Sequence, residues 1–193
     1  ATISGTAAVG QTLTATAGTT TGTPSISSTT YQWSSSSTSG GSYSNISGAT
    51  NSTYVVASGD YGNYIKVTIT VSNGISPNAS ATSSATSQVA EGTASKLSVT
   101  SQPVDTSNAA TFANIVVKVQ DSSSHTVTSS TASITASIKS GSGSFCSGTT
   151  TSVNAVAGVA TFSNLCIQGS SGSYTLTFAS SGLTSADSNS FNL

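Results

Sequence analysis

Catalysis in this chain would have to start from a single imidazole. His125, the sole histidine, sits in Ser122-Ser-Ser-His125. A nucleophilic triad needs such a ring oriented by a carboxylate and placed beside an activated serine. Ser and Thr fill about 40% of the positions, so a serine near His125 carries no information, and there is no Gly-x-Ser-x-Gly elbow. His125 is expected to be an exposed residue of a polar hairpin loop. Glycosidic hydrolysis needs two carboxyl groups about 5–10 Å apart. The acids here are Asp60, Glu91, Asp105, Asp121 and Asp187, all isolated in sequence. Asp60 reads as a turn residue and Asp121 as the end of a strand. No Lys-Ser/Thr follows Gly40-Gly41 or Gly141-Ser-Gly143, so no phosphate loop is expected. Without an Asp-x-Asp run, calcium is not expected either. The reading is of a non-enzyme with no cofactor and no metal.

Other side chains suggest binding or cross-linking. Cys146 and Cys166 are the only cysteines. In a chain this rich in hydroxyls and poor in charge, a disulfide is favoured over two buried thiols. It would close a loop of about 20 residues and contribute roughly 3 kcal/mol in the chain-entropy account. With one distant histidine, two cysteines do not make a four-ligand zinc site. Asn45-Ile-Ser47, Asn51-Ser-Thr53 and Asn78-Ala-Ser80 are glycosylation sequons, a weak signal in a chain so full of Asn, Ser and Thr. Tyr31, Trp33, Tyr43, Tyr54, Tyr61 and Tyr64 could form a sugar-stacking surface, with Tyr43 and Tyr61 as the candidate contacts. The competing expectation puts Tyr31 and Trp33 in a core strand. An isopeptide cross-link would need a buried Lys beside an acid, and Lys118, near Asp121, is the one candidate.

The elements that would carry these residues are strands. Only 9 of 193 residues are charged, 4 basic and 5 acidic, for a net charge of −1. That is 5% against about 25% in an ordinary domain. Four scattered lysines cannot displace counterions from nucleic acid, so no nucleic-acid partner is expected. No apolar run approaches the roughly 20 residues of a membrane span. Turn residues recur every 8 to 12 positions, and alternation is frequent. Ile65, Val67, Ile69 and Val71 alternate with polar residues over Tyr64 to Ser72. Ile115, Val117 and Val119 do the same up to Asp121, as do Tyr174, Leu176 and Phe178. Asn73-Gly74 and Ala157-Gly158 mark turns. Ser34 to Ser44 has no periodicity and is expected to be a flexible surface loop.

Aromatic usage divides the chain. Trp33 and five of the six Tyr lie before residue 90, and all five Phe lie after residue 95. The stretch Ala79 to Ser95 is small and polar, which places a boundary there, between Ala90 and Ser95. The expected fold is all-β, two tandem immunoglobulin-like β-sandwich domains over residues 1–92 and 93–193. No basic or hydrophobic leader opens the chain, so the reading is of a mature product or a segment cut from something longer.

Two stretches carry a family resemblance. Residues 3–15 (ISGTAAVGQTLTA), Tyr31-Gln-Trp33, residues 46–54 (ISGATNSTY) and Gly59-Asp-Tyr-Gly62 resemble a recurrent bacterial Ig-like repeat. The second half is similar to another bacterial Ig-like module, through Val117-Lys-Val-Gln-Asp121, residues 155–162 (AVAGVATF), residues 172–177 (GSYTLT) and residues 182–186 (GLTSA). Lys66 stands where an antibody-type domain has its second cysteine, so the antibody disulfide is not carried over. What the resemblance implies is a structural role at the bacterial cell surface. The chain would be extracellular: a building block of a surface layer, sheath or filament, or an adhesin stalk segment. Its partners would be copies of itself or neighbouring Ig-like domains. The alternative is a carbohydrate-binding accessory module, with polysaccharide as partner. Missing charge fits the first reading, because charged side chains normally keep strand edges from pairing.

Overall fold

Alternation of small apolar and hydroxyl residues dictates short strands with one wet face, and these strands build two Ig-like β-sandwiches. The computed structural model describes residues 1–193 and resolves them into two compact units, Ala1–Gly92 and Thr93–Leu193.

The first unit has seven strands: β1 (Thr2–Ser4), β2 (Thr12–Thr16), β3 (Ser28–Ser36), β4 (Ser44–Asn45), β5 (Thr53–Val55), β6 (Tyr64–Ser72) and β7 (Ala79–Thr82). They form one sheet in the order β1-β2-β5 and another in the order β4-β3-β6-β7. β3 and β6 pair without a break from Ser28↔Ser72 to Ser36↔Tyr64. Leu13, Trp33, Ile65, Val67, Ile69 and Val89 fill the space between the sheets. After β7 the chain stays in the fold: Ser83 donates its N–H to the Val67 carbonyl, and Ala8 and Ala90 form a parallel bridge. The side chains of Ser83 and Thr86 accept from the amides of Val67 and Ile65, at 3.1 and 3.0 Å. Residues 79–90 are thus an edge of the sandwich held by backbone and hydroxyl bonds, and the two units divide after them, between Gly92 and Thr93. The expected loop at Ser34 to Ser44 also needs correction. β3 continues through Ser36, Ser34 is buried, and β4 begins at Ser44.

The second unit has ten short strands: β8 (Ala94–Ser101), β9 (Ile115–Asp121), β10 (Ser133–Ser140), β11 (Gly143–Phe145), β12 (Ser152–Asn154), β13 (Val159–Phe162), β14 (Ile167–Gly169), β15 (Ser173–Ala179), β16 (Ala186–Asp187) and β17 (Phe191–Asn192). The sheets are β13-β9-β8, β12-β10-β15-β16 with β17 also on β15, and the ribbon β11-β14. The phenylalanines make the core, with Phe162 against Phe178 at 5.2 Å and Phe112 edge-on to Phe191 at 5.1 Å between ring centroids. The hairpin between Val156 and Val159 turns through Ala157 and Gly158, whose φ angles are 49° and 74°. Two positive φ values in a two-residue loop match the right-handed strand twist. A Cβ on Gly158 would lie 2.4 Å from the Val127 carbonyl oxygen, so this position admits only glycine.

Across the outer faces, hydroxyls bond to hydroxyls where other proteins place ion pairs. Thr68 meets Thr82 at 2.9 Å and Thr70 meets Ser80 at 2.7 Å. Ser133 meets Ser152 at 3.2 Å, and Ser173 meets Ser190 at 2.6 Å. Each such pair is worth roughly 0.2–1 kcal/mol and, unlike a charge, repels nothing that approaches.

Candidate functional site

The aromatic residues of the first unit separate into inner and outer sets. Trp33 is fully buried, and its indole N–H donates to the Asn51 carbonyl at 2.8 Å. Tyr31 and Tyr54 pack against the same core, with the Tyr54 ring tilted over Trp33 at 5.6 Å. The Tyr54 hydroxyl donates to Asp60 at 2.5 Å, and that carboxylate also accepts the Ala57 N–H at 3.0 Å. Asp60 is therefore more than a turn residue. It is buried at the end of a 3₁₀ turn (Ser58–Asp60) and reaches back to the amide of Ala57, the residue that caps the turn.

Burial, then the Asp60 carboxylate, raises the Tyr54 hydroxyl well above the ordinary phenol value of 10.0. A raised folded-state pKa adds stability that is complete below the unfolded value and is lost as pH climbs toward the folded one. The first unit should accordingly weaken above about pH 10, and Tyr54→Phe should flatten that alkaline loss. Thermal melts of both chains between pH 8 and 11 check this. Parallel curves would exclude Tyr54 as the cause.

Tyr43, Tyr61 and Tyr64 remain toward solvent. Tyr43 precedes β4, donates its hydroxyl to the Ser39 carbonyl at 3.0 Å, and carries the Lys66 ammonium 4.2 Å from its ring centroid. Its hydroxyl is pushed up by partial burial and by Tyr64 close by. Tyr64 and Lys66 share the outer face of β6, on which Thr68 and Thr70 follow. Tyr61 is 43% exposed and directly follows the 3₁₀ turn. The two candidate sugar contacts thus sit on different segments. The sequon residues Asn45, Asn51 and Asn78 are all exposed: in β4, in the turn before β5 and just before β7.

His125 is partly buried, not the exposed loop residue expected, and it meets a carboxylate. Its Nδ1 stands 3.1 Å from Asp121 Oδ2, with the imidazole half-buried and Asp121 1% exposed. Asp121 Oδ1 accepts the backbone N–H groups of Ser123 and His125, each at 2.9 Å. The chemistry is that of a loop clasp: one carboxylate gathers three donors within four residues and closes the hairpin that follows β9. An Asp-oriented imidazole is also two parts of a triad. The signal available in sequence was the aspartate ending a strand before Ser-Ser-Ser-His, the pattern of an Asx turn.

The remaining acids have separate partners. Asp187 pairs with Lys139 and accepts from Thr177 at 2.6 Å; Lys139, then Thr177, holds its carboxyl below the ordinary range. Asp105 accepts the Asn192 N–H at 2.8 Å. No three His, Cys, Asp or Glu side chains gather as metal ligands would. The isopeptide candidate fails on geometry, since Lys118 and Asp121 occupy opposite faces of β9.

Cys146 and Cys166 form a disulfide with Cα atoms 5.4 Å apart, and the Cys146 N–H donates to the Cys166 carbonyl at 2.9 Å. The bridge staples the ends of the β11-β14 ribbon. Replacing both cysteines with serine should cost the second unit roughly 3 kcal/mol, read from its melting transition with and without reductant. A loss below about 1 kcal/mol would mean that ribbon pairing alone holds the loop.

Two concavities lie in the first unit. One, of about 490 Å³, is lined by Ala17, Ile26, Ile69, Val71, Ala79 and Ala81 among others. The other, of about 320 Å³, lies between Thr2, Ile3, Gly5 and Ala7 on one side and Ser84 to Ser87 on the other. No charged side chain lines either.

No family model and no curated protein matches the chain. Among solved structures it is similar to a β-glucuronidase of Parabacteroides merdae, at 15% identity and a TM-score of 0.39, over 85% of this chain and 21% of that one. A β-glycosidase from Bacteroides vulgatus aligns at 11% identity and a TM-score of 0.45, again over 85% and 21%. The complex of Dpr2 Ig1-Ig2 with DIP-Theta Ig1-Ig3 aligns at 14% identity and a TM-score of 0.33, over 90% of this chain and 55% of that one. The chain spans about a fifth of the length of the two glycosidases.

Proposed function

We propose that this chain is a non-catalytic structural segment of a bacterial extracellular protein, of the bacterial Ig-like repeat type. It serves as a building block of a surface layer, sheath or filament, or as a stalk segment of an adhesin. The observation that carries this reading is the dressing of the sheets. Their outer faces are hydroxyl ladders, and the strand edges of the first unit bear no charge, so neighbouring copies meet without repulsion. The disulfide supports an oxidising, extracellular setting. Light scattering after gel filtration, with electron micrographs of the same fractions, tests the reading. Ordered polymers support assembly. A monomer of 18.8 kDa at every concentration removes self-assembly by this segment and leaves the stalk role.

One surface feature favours a second reading, a carbohydrate-binding accessory module. Tyr43, Lys66 and Tyr64 form a cation–aromatic cluster beside a row of hydroxyls on β6. Retention on immobilised polysaccharide, lost in Tyr43→Ala at unchanged melting temperature, would support that reading. Equal migration of both chains would remove it.

A further inference from the structure

The two concavities of the first unit are both lined by the chain that runs from Pro77 to Ser87. The larger is walled by Ala17 to Gly22, after β2, on one side and by Pro77 to Ala81 on the other; the smaller lies between Thr2 to Ala7 and Ser84 to Ser87. β1 and β7 are also the outermost strands of their sheets. The sandwich is therefore open on its β7 side, toward the segment after β2 at the larger concavity and toward Thr2 to Ala7 at the smaller. β7 is longer than β1. It pairs with β6 alone, in the register Thr68↔Thr82, Ile69↔Ala81, Thr70↔Ser80 and Val71↔Ala79. In an antiparallel edge strand, every second residue turns its N–H and C=O away from the sheet, ready to pair. All four residues of β7 are exposed. Ser80 and Thr82 bond to Thr70 and Thr68 on the outer face, so Ala79 and Ala81 face inward, where they line the larger cavity. The devices that usually guard such an edge are missing. No charge lies on it, and Pro77 stands two residues ahead of it, leaving the edge itself unblocked.

We propose that the β7 edge is a self-association site, at which a second copy of this chain adds its own β7 antiparallel across a two-fold axis. The inference rests on the assembly reading above and names its joint. The occupant follows from charge and from alternation. Asp60, Lys66 and Glu91 carry the only charged side chains of the first unit, and none lines the open side. A charged peptide strand laid here would bury charges without partners. The chain's own Ala79-Ser80-Ala81-Thr82 brings none. Paired with its twin, it sets alanines over the cavities of both copies and extends the hydroxyl rows outside. The four-stranded sheet becomes one of eight. Such a contact is isologous and closes at two copies, so a filament or layer needs a second contact elsewhere.

The test uses the full chain. Wild type, Ala81→Lys, Ser80→Lys and the control Thr135→Lys, exposed on β10, are compared by light scattering across a concentration series. Circular dichroism melts confirm that each is folded. Ser80→Lys points outward, so it remains informative if Ala81→Lys does not fold. Ser80→Cys adds a positional readout, because both native cysteines are engaged in the disulfide. The expected result is that wild type and control associate alike, both β7 lysine variants need at least tenfold higher concentration, and oxidised Ser80→Cys gives a covalent dimer that Thr135→Cys does not. Association unchanged in the lysine variants, with no Ser80→Cys dimer, would overturn the β7 site and leave the assembly reading standing. A wild type monomeric at every concentration would overturn both.

Discussion

Trp33→Ala should cost the first unit about 3–5 kcal/mol and leave the second unit's unfolding transition where it is. Trp33 is fully buried near the centre of β3, beside its cross-strand partner Val67 of β6 and in the same core as Leu13 of the other sheet. Deleting the indole removes the largest side chain of that core, the tilted contact with Tyr54 and the donor to the Asn51 carbonyl. Typical domain stabilities are 5–15 kcal/mol, so this loss is a large fraction of the total for a unit of 92 residues. Each unit has a core of its own, one built on Trp33 and the other on the phenylalanine cluster. Calorimetry should therefore show one shifted and one unshifted transition. Hydrogen exchange should show β6 amides losing protection while β9 and β15 keep theirs. A single transition moving as a whole would contradict the separation. The same variant bears on function, because Trp33 cannot contact a sugar from inside the sandwich. Polysaccharide binding that follows Tyr43 and not Trp33 at matched foldedness would assign the contact to the outer cluster.

What could be read from the sequence was what apolar side chains write. Ile65, Val67, Ile69 and Val71 mark β6 over its observed span, and Ile115, Val117 and Val119 mark β9, because in both a buried face alternates with a wet one. The Ig-like fold class follows from such strands and their turn spacing. The residues that escaped are held by polar groups. Ser34 to Ser36 carry no hydrophobic signal, yet pairing with Lys66, Ile65 and Tyr64 continues β3 through them. Ala79 to Ala90 reads as polar punctuation, yet the Ser83 and Thr86 hydroxyls substitute for ladder acceptors and bind it to β6. In a chain where hydroxyls do the work of both surface and ladder, composition cannot tell an edge strand from a loop. The surface cluster was legible only in part. Tyr43 stood out as an aromatic, but its partner Lys66 comes from a distant strand and only the fold brings them within 4.2 Å.

Asp121→Ala should cost the second unit about 3–5 kcal/mol, an effect out of proportion to a residue at the end of a strand. Its carboxylate is 1% exposed and accepts from two backbone amides and from the His125 ring. Hydrogen bonds to a charged group are worth about 1.5–3 kcal/mol each, and removing the acceptor leaves the Ser123 and His125 amides without it in a partly buried loop. Two further variants separate the contributions. Asp121→Asn keeps an acceptor for the amides and gives up the charge, so it should recover about half of the loss. His125→Ala keeps the amide bonds and gives up the ring, which should cost about 1–2 kcal/mol because the imidazole is only half-buried. Chemical denaturation of the three variants, followed in the second unit, measures each term. The order Asp121→Ala, Asp121→Asn, His125→Ala from most to least destabilised is what a loop clasp requires. If His125→Ala were instead neutral for folding while abolishing a hydrolytic activity of the intact chain, the pair would be working as an oriented base, and the non-catalytic reading would fall with it.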